Sequence, residues 1–367
     1  MSGPNEHHIP QFLQRPFAIE RKGGQPNQIW FYTRDAVPEP RAISDTASED
    51  HFYGSDLDAK LKVPENELGR HFATLRKQAV GTTVDPALAA DLVGHLAPRS
   101  KHVRMAMAAG LHRLVLGAHS LFADPDNLSA LLGLDTPAPS DQFHKHIAEA
   151  IEDNAQLRAL GLPLPILERV AFYVAKERFD INAGSTASLF DSILSRWSAE
   201  APTMARDGHN RALESLSEGK NPRRDHLAGF SWSVEVAPAD GAILPDCVAL
   251  GYPADEAPLP MIFADKEVQS VVMPISSGKL LVGREADSHS PDLMSFNRDA
   301  AACCEEFFLA HIDIAPFRSL AGTIGTRTAG YFEETVRTAV NETLPSRKDE
   351  EEESHGITAV VQPTPWT

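Results

Sequence analysis

Two adjacent imidazoles, His7 and His8, stand near the start of the chain, just ahead of Ile9-Pro10. Histidine is the side chain that titrates near neutrality, so either residue could serve as an acid, a base or a metal ligand. In an extended segment neighbouring side chains point to opposite sides, so at most one of them can enter a site. The structural alternative is a buried histidine that anchors the segment by hydrogen bonds. A second group is Arg99-Ser100-Lys101-His102-Val103-Arg104. Arginine binds carboxylate or phosphate through two parallel N–H groups, which suits a ligand clamp and equally an interior ion pair with Glu67. Five residues of helix turn through about 500°, so Arg99 and Arg104 diverge unless Arg99 precedes the helix. Glu67 and His71 are spaced i, i+4, compatible with a metal or acid/base pair and with an ordinary exposed pair.

The segment His8-Ile9-Pro10, then Phe12-Leu13-Gln14-Arg15-Pro16-Phe17, then Gln28-Ile29-Trp30-Phe31-Tyr32, resembles a bacterial family catalogued as domain of unknown function 4238. The resemblance is strongest over residues 7–33, recognisable at 97–104 and again at 228–283. It singles out His8 of the two histidines, matches the paired arginines to a family helix and places Glu67 at an acidic position ahead of it. In the sheet region it brings forward Asp246 at the head of one strand and Ser276 at the end of another. Strand ends suit site residues, because the sheet sets their direction while the loop leaves them accessible. Turn hydrogen bonding to their own backbone is the structural alternative. The Ala-rich helical middle and the acidic tail depart from the family pattern.

Other signatures fail. Ser277-Gly278-Lys279 lacks the first glycine of a P-loop, where Met273 stands, and has Leu280 in place of the magnesium-binding hydroxyl. His144 and His146 would point apart on a helix, which disfavours a zinc pair. Gly322, Gly325 and Gly330 lack dinucleotide-binding spacing. No metal site and no cofactor is indicated.

A net charge of -17 over 367 residues opposes non-specific nucleic-acid binding, so any phosphate contact has to use locally gathered cations. The stretch from Val93 to Ala123 provides them: it has no acidic residue and carries Arg99, Lys101, Arg104 and Arg113. No apolar run reaches membrane-spanning length and the N-terminus lacks a signal-peptide pattern, so no membrane association is expected and the cytoplasm is the default location. Cys247, Cys303 and Cys304 read as reduced, buried thiols rather than a disulfide framework.

The elements that must position these groups follow from hydrophobic period. Residues 57–225 predict a helical block: Leu68, Phe72 and Leu75 share one face of a helix with Pro64 just inside its start. Helices at 85–122 divide near Pro98, with Ser100 placed to cap the second. Others are predicted over 141–160, 163–178 and 185–215. Alternation from Phe230 to Val236 predicts a strand, with more at 247–250, 261–263, 268–273 and 280–282. Residues 292–343 return to helix, with spans at 292–311 and 328–343. The expected fold is α+β, predominantly helical, with one small, mainly antiparallel sheet joined by the N-terminal strand around Trp30. Residues 1–345 are expected to form one elaborated domain, and 346–367 a disordered tail in which Asp349–Glu353 repel one another and suit a basic partner.

The function expected from these groups is hydrolysis of a phosphate-containing substrate, a nucleotide or nucleic acid. His8 would act as acid/base with Glu67 and Asp246 in catalytic roles, and Arg99, Arg104 and Ser276 would bind the substrate. The other reading is a non-enzymatic binding protein whose His, Arg and Glu residues form a buried structural network. What separates them is whether His8, Arg99, Arg104 and Asp246 meet in an accessible pocket.

Overall fold

A computed structural model describes residues 5–19, 27–122, 125–131, 133–139, 141–153, 159, 161–221, 223–254, 256–264 and 268–343. The acidic block at 349–353 lies outside them. The chain divides into two compact units, one of residues 1–116 and 194–335, the other of 117–193 and 336–367.

The first unit is α+β, and where one sheet was expected there are three among the described residues, all antiparallel. A two-stranded ribbon pairs β1 (Asn5–His7) with β4 (Ser48–Asp50). A four-stranded sheet has the order β3-β2-β12-β7, formed by Glu39–Ala42, Gln28–Thr33, Phe307–Ala310 and Leu244–Pro245. The aromatic strand therefore does not join the sheet of residues 231–284. Its partner is β12, which sits within a segment whose sequence reads as helix. Phe307-Phe308-Leu309-Ala310 is uniformly apolar and buried between two strands, and a short run without alternation carries no period to identify it. Tyr32 stacks on Phe308 across this pair at 4.7 Å.

The six-stranded sheet runs β5-β6-β11-β10-β8-β9, from Thr83–Val84, Ser231–Val236, Lys279–Arg284, Val268–Ser276, Leu250–Pro253 and Leu259–Pro260. Residues 271–275 and 280–282 are buried on both faces, which is why they read as continuous apolar runs. Trp232 lies opposite Gly283, and a Cβ there would come within 2.6 Å of the indole. The glycine leaves room for the ring, whose N–H donates to the Leu227 carbonyl at 2.9 Å. The strands expected at 247–250 and 261–263 are mostly turn. Val248 adopts φ +67, left-handed backbone that is strained for a β-branched residue, and it breaks the first of them before β8 begins.

Helices of this unit include α1 (Gln11–Gln14), α2 (Ser55–Leu75) and α3 (Pro86–Leu96). Pro64 falls in the middle of α2 rather than at its start, removing one internal N–H while Leu61, Leu68, Phe72 and Leu75 keep the helix seated on the core. Asp85 caps α3 by accepting the Ala87 N–H at 3.2 Å, with Pro86 in the first turn. A single 3₁₀ turn, Ala97–Arg99, separates α3 from α4 (Lys101–Phe122). Ser100 at that junction does not cap by its side chain: its hydroxyl is buried and has no hydrogen-bond partner among the described residues.

The second unit is helical among the described residues. It holds the end of α4, α5 (Pro125–Leu131), α6 (Asp141–Asp153) and the first half of α7, which runs unbroken as Leu164–Ser217 where two helices were expected. Phe143 meets Phe172 edge to face at 5.1 Å, and His144 pairs with Glu168 at 3.1 Å. Back in the first unit, α8 (Arg224–Ala228) packs on α3, and α9 (Phe296–Cys303), α10 (Ala315–Ala321) and α11 (Thr326–Thr343) follow, the last continuing into the second unit. No described helix is long and apolar enough to cross a membrane. All three cysteines are free and buried, and burial pushes their thiols up.

Candidate functional site

The β1–β4 ribbon sets the first residues of the site. Its alternation buries Glu6 and His8, while His7 turns away to meet the Ile43 carbonyl at 3.2 Å. The backbone N–H of His8 donates to the Ala47 carbonyl at 2.9 Å, extending the pairing by one residue. Glu6 accepts the N–H groups of Tyr53 at 2.5 Å and Gly54 at 3.2 Å through one carboxylate oxygen. That bond holds down a loop with left-handed residues at His51 (φ +56) and Gly54 (φ +85), and it places Phe52 and Tyr53 beneath the histidine.

Phe52 and Tyr53 are the hub. The ring of Phe52 lies 5.3 Å from His8, 4.7 Å from Tyr53 and 6.1 Å from His209, and the Arg104 guanidinium sits 3.7 Å above it. Tyr53 donates its hydroxyl proton to the Arg99 carbonyl at 2.8 Å and lies 5.6 Å beneath that residue's guanidinium. Arg99 belongs to the 3₁₀ turn ahead of α4, so the divergence of a five-residue helical spacing does not arise. Both arginines reach the same pair of aromatic rings.

The charges are partly closed on themselves. Arg99 is buried and pairs with Glu65 at 3.2 Å. The expected partner, Glu67, is two residues on, about 200° around the helix, and it sits exposed beside His71 at 3.8 Å. Lys101 bridges Glu49 and Glu306, each at 3.4 Å. Arg104 differs: it makes no salt bridge among the described residues, and its one side-chain bond goes to the neutral Asn210 oxygen at 2.9 Å. Its Nε is buried and unpaired, as are Nδ1 of His8, Nδ1 of His209, Nε of Arg99 and one oxygen of Glu6. His209 Nε2 lies 2.6 Å from the Pro98 carbonyl, which can only accept, so Nε2 carries the proton and Nδ1 is left as an acceptor. Burial, with Lys101, His7, Arg104 and His209 nearby, lowers the His8 pKa to about 3, and burial lowers His209 to about 4. Both rings are neutral at pH 7.

Asp246 does a different job. Its carboxylate accepts the backbone N–H groups of Glu305, Glu306 and Phe307 at 2.7 to 3.2 Å, at full burial. It thereby positions two residues of the cluster at one remove: Glu306, which holds Lys101, and Phe307, whose ring is 6.2 Å from His8. Asp246→Ala should strand three N–H groups, that of Phe307 buried and those of Glu305 and Glu306 partly so, at up to about 1–3 kcal/mol each, and lower the melting temperature. Asp246→Asn, which keeps an acceptor oxygen, should recover much of the loss. Equal melting of the wild type and the alanine variant would exclude this role.

Ser276 ends β10 and accepts the Gly278 N–H at 3.3 Å within the β10–β11 hairpin, the turn role open to it from the start. The structure thus gathers His8, Arg99 and Arg104, links Asp246 to them through backbone, and places Glu67 and Ser276 outside the group. Phe52, Tyr53, Glu6, Glu65, His209 and Glu306 escaped sequence reading. Their one visible signal is two aromatics in a polar loop at Phe52-Tyr53. Open hollows of about 560 Å³, beside Asp240 and His311, and about 480 Å³, beside Arg327 and Tyr331, contain none of the six predicted residues. Among the described residues no cluster of His, Cys, Asp or Glu has metal-binding geometry. Comparison with known protein families, with curated proteins and with solved structures returns no match to this chain.

Proposed function

We propose that the chain binds a phosphate-containing ligand at the Arg104 edge of this cluster and that hydrolysis of a phosphate ester is the reaction His8 would assist there. The observation that carries the reading is the Arg104 guanidinium, a cation with no salt bridge among the described residues, lying over Phe52 with its Nε unpaired. A phosphate at the open edge of this partly exposed side chain takes guanidinium N–H groups that Asn210 leaves free, and the ring beneath holds the guanidinium in place for it. His8 stands on the same phenyl ring, neutral and with Nδ1 unpaired. Bringing the phosphate's negative charge beside it raises its pKa, which turns a weak base into one able to take a proton from an attacking water.

The alternative, a buried structural network in a non-enzymatic protein, is favoured by two specific observations: His8, Arg99 and Asp246 are only 3%, 4% and 2% exposed and so do not meet in an accessible pocket, and Arg99 is closed off by Glu65. Isothermal titration with inorganic phosphate, turnover of a chromogenic phosphodiester and thermal melts on the same variants separate the two. The site reading expects Arg104→Met, which keeps the stem over Phe52, to weaken phosphate at least about tenfold. His8→Ala should lower turnover by about 10²-fold or more with its fold retained. Absence of phosphate binding by the wild type, with both variants melting early, leaves the network reading.

A further inference from the structure

We propose that residues 166–177 of α7 are the docking face for a second copy of this chain, packed antiparallel about a two-fold axis at Tyr173. In the second unit, the inner side of this helix is settled: Leu167, Glu168 and Phe172 are buried, Phe172 against Phe143 and Glu168 against His144. The other side carries Ile166, Arg169, Val170, Tyr173, Val174 and Glu177, spaced i, i+3, i+4, i+7, i+8 and i+11, so they form one stripe. Its apolar members are about half exposed: Ile166 49%, Val170 53%, Tyr173 56% and Val174 50%. A continuous apolar stripe on a helix marks an interaction surface more often than scattered exposed residues do.

The charges on that stripe select the occupant. Arg169 and Glu177 are both exposed and form no ion pair among the described residues. They lie four residues before and four residues after Tyr173. In an antiparallel pair of identical helices centred on Tyr173, each residue faces the one equally far on the other side. Arg169 of each copy then meets Glu177 of the other, twice, while the Tyr173 rings meet at the axis, flanked on their own helix by Val170 and Val174. This is an isologous contact, self-complementary in charge. A parallel pair would set like charges together. Twelve residues give a stripe about 18 Å long. At a helix width of about 10 Å such a face covers on the order of 200 Å², well under the roughly 800 Å² per partner of a standard interface, so the dimer should be weak, dissociating in the micromolar range or above.

Sedimentation equilibrium of the full chain from about 1 to 300 µM tests this, with circular dichroism confirming that each variant stays folded. The wild type should pass from monomer to dimer. Tyr173→Glu and Val170→Glu should hold it monomeric across the range. Arg169→Glu and Glu177→Arg should each weaken association about tenfold or more, and the Arg169→Glu/Glu177→Arg double variant should restore it. A wild type that stays monomeric at the highest concentration overturns the proposal. So does a dimer that is insensitive to these substitutions, or a double variant no better than the singles.

Discussion

Removal of residues 1–33 should leave a chain with no cooperative unfolding transition. The segment contributes Ile9, Leu13, Phe17, Ile29 and Tyr32, all fully buried. At about 1.5–3 kcal/mol per large side chain, their burial contributes roughly 7–15 kcal/mol, as much as the whole stability of an ordinary domain, about 5–15 kcal/mol. The deletion also removes β2, which hydrogen-bonds to both β3 and β12 and so leaves the four-stranded sheet without one of its inner strands. It takes β1 and Glu6 as well, freeing the loop that carries Phe52 and Tyr53. Calorimetry or a denaturant titration of the truncated chain checks this, and a sharp transition near that of the parent would show the segment to be an accessory.

Acid should unfold this protein early and steeply. His8 and His102 are held at about 3 and His209 at about 4, in each case mainly by burial, against an ordinary value of 6.5. A group whose folded pKa is depressed binds fewer protons in the native state. Its stabilisation is therefore complete above 6.5 and is lost as pH falls toward the folded value. Each such histidine contributes about 1.4 kcal/mol per pH unit across that window, or about 4 kcal/mol per unit for three. Asp246 acts in the opposite sense. Burial, resisted by its three N–H donors, pushes its carboxyl up to about 7, so its contribution is full below about 3.9 and is lost as pH rises through 7. Between pH 6 and 4 it offsets one histidine, leaving a net loss of about 3 kcal/mol per unit. Melts from pH 7.5 to 4 should show the melting temperature falling sharply below pH 6, and a folded His8→Gln variant should flatten the slope. A melting temperature constant between pH 7 and 5 would mean that these rings are not buried neutral in solution.

Much of the architecture was legible in local pattern. The face of Leu68, Phe72 and Leu75, the break near Pro98, the alternation of Phe230 to Val236 and the need to bury the N-terminal aromatics each follow from side chains a few residues apart, and each appears in the structure. Local pattern also brought His8, Arg99 and Arg104 forward for notice. Tertiary structure alone decided what surrounds them. Residues 307–310 become a strand because β2 and β7 offer them hydrogen bonds from more than 60 positions away in sequence, a pairing with no trace in their own period. Arg99 takes Glu65 rather than Glu67 because the helix face it meets is set by packing, and two residues are enough to turn a carboxylate away. The loop bearing Phe52 and Tyr53 has no regular spacing at all, and a single buried carboxylate, Glu6, ties it beneath the histidine. The residue types carried the chemistry that could be done; which of them share an environment depended on contacts between distant segments, which no local period encodes.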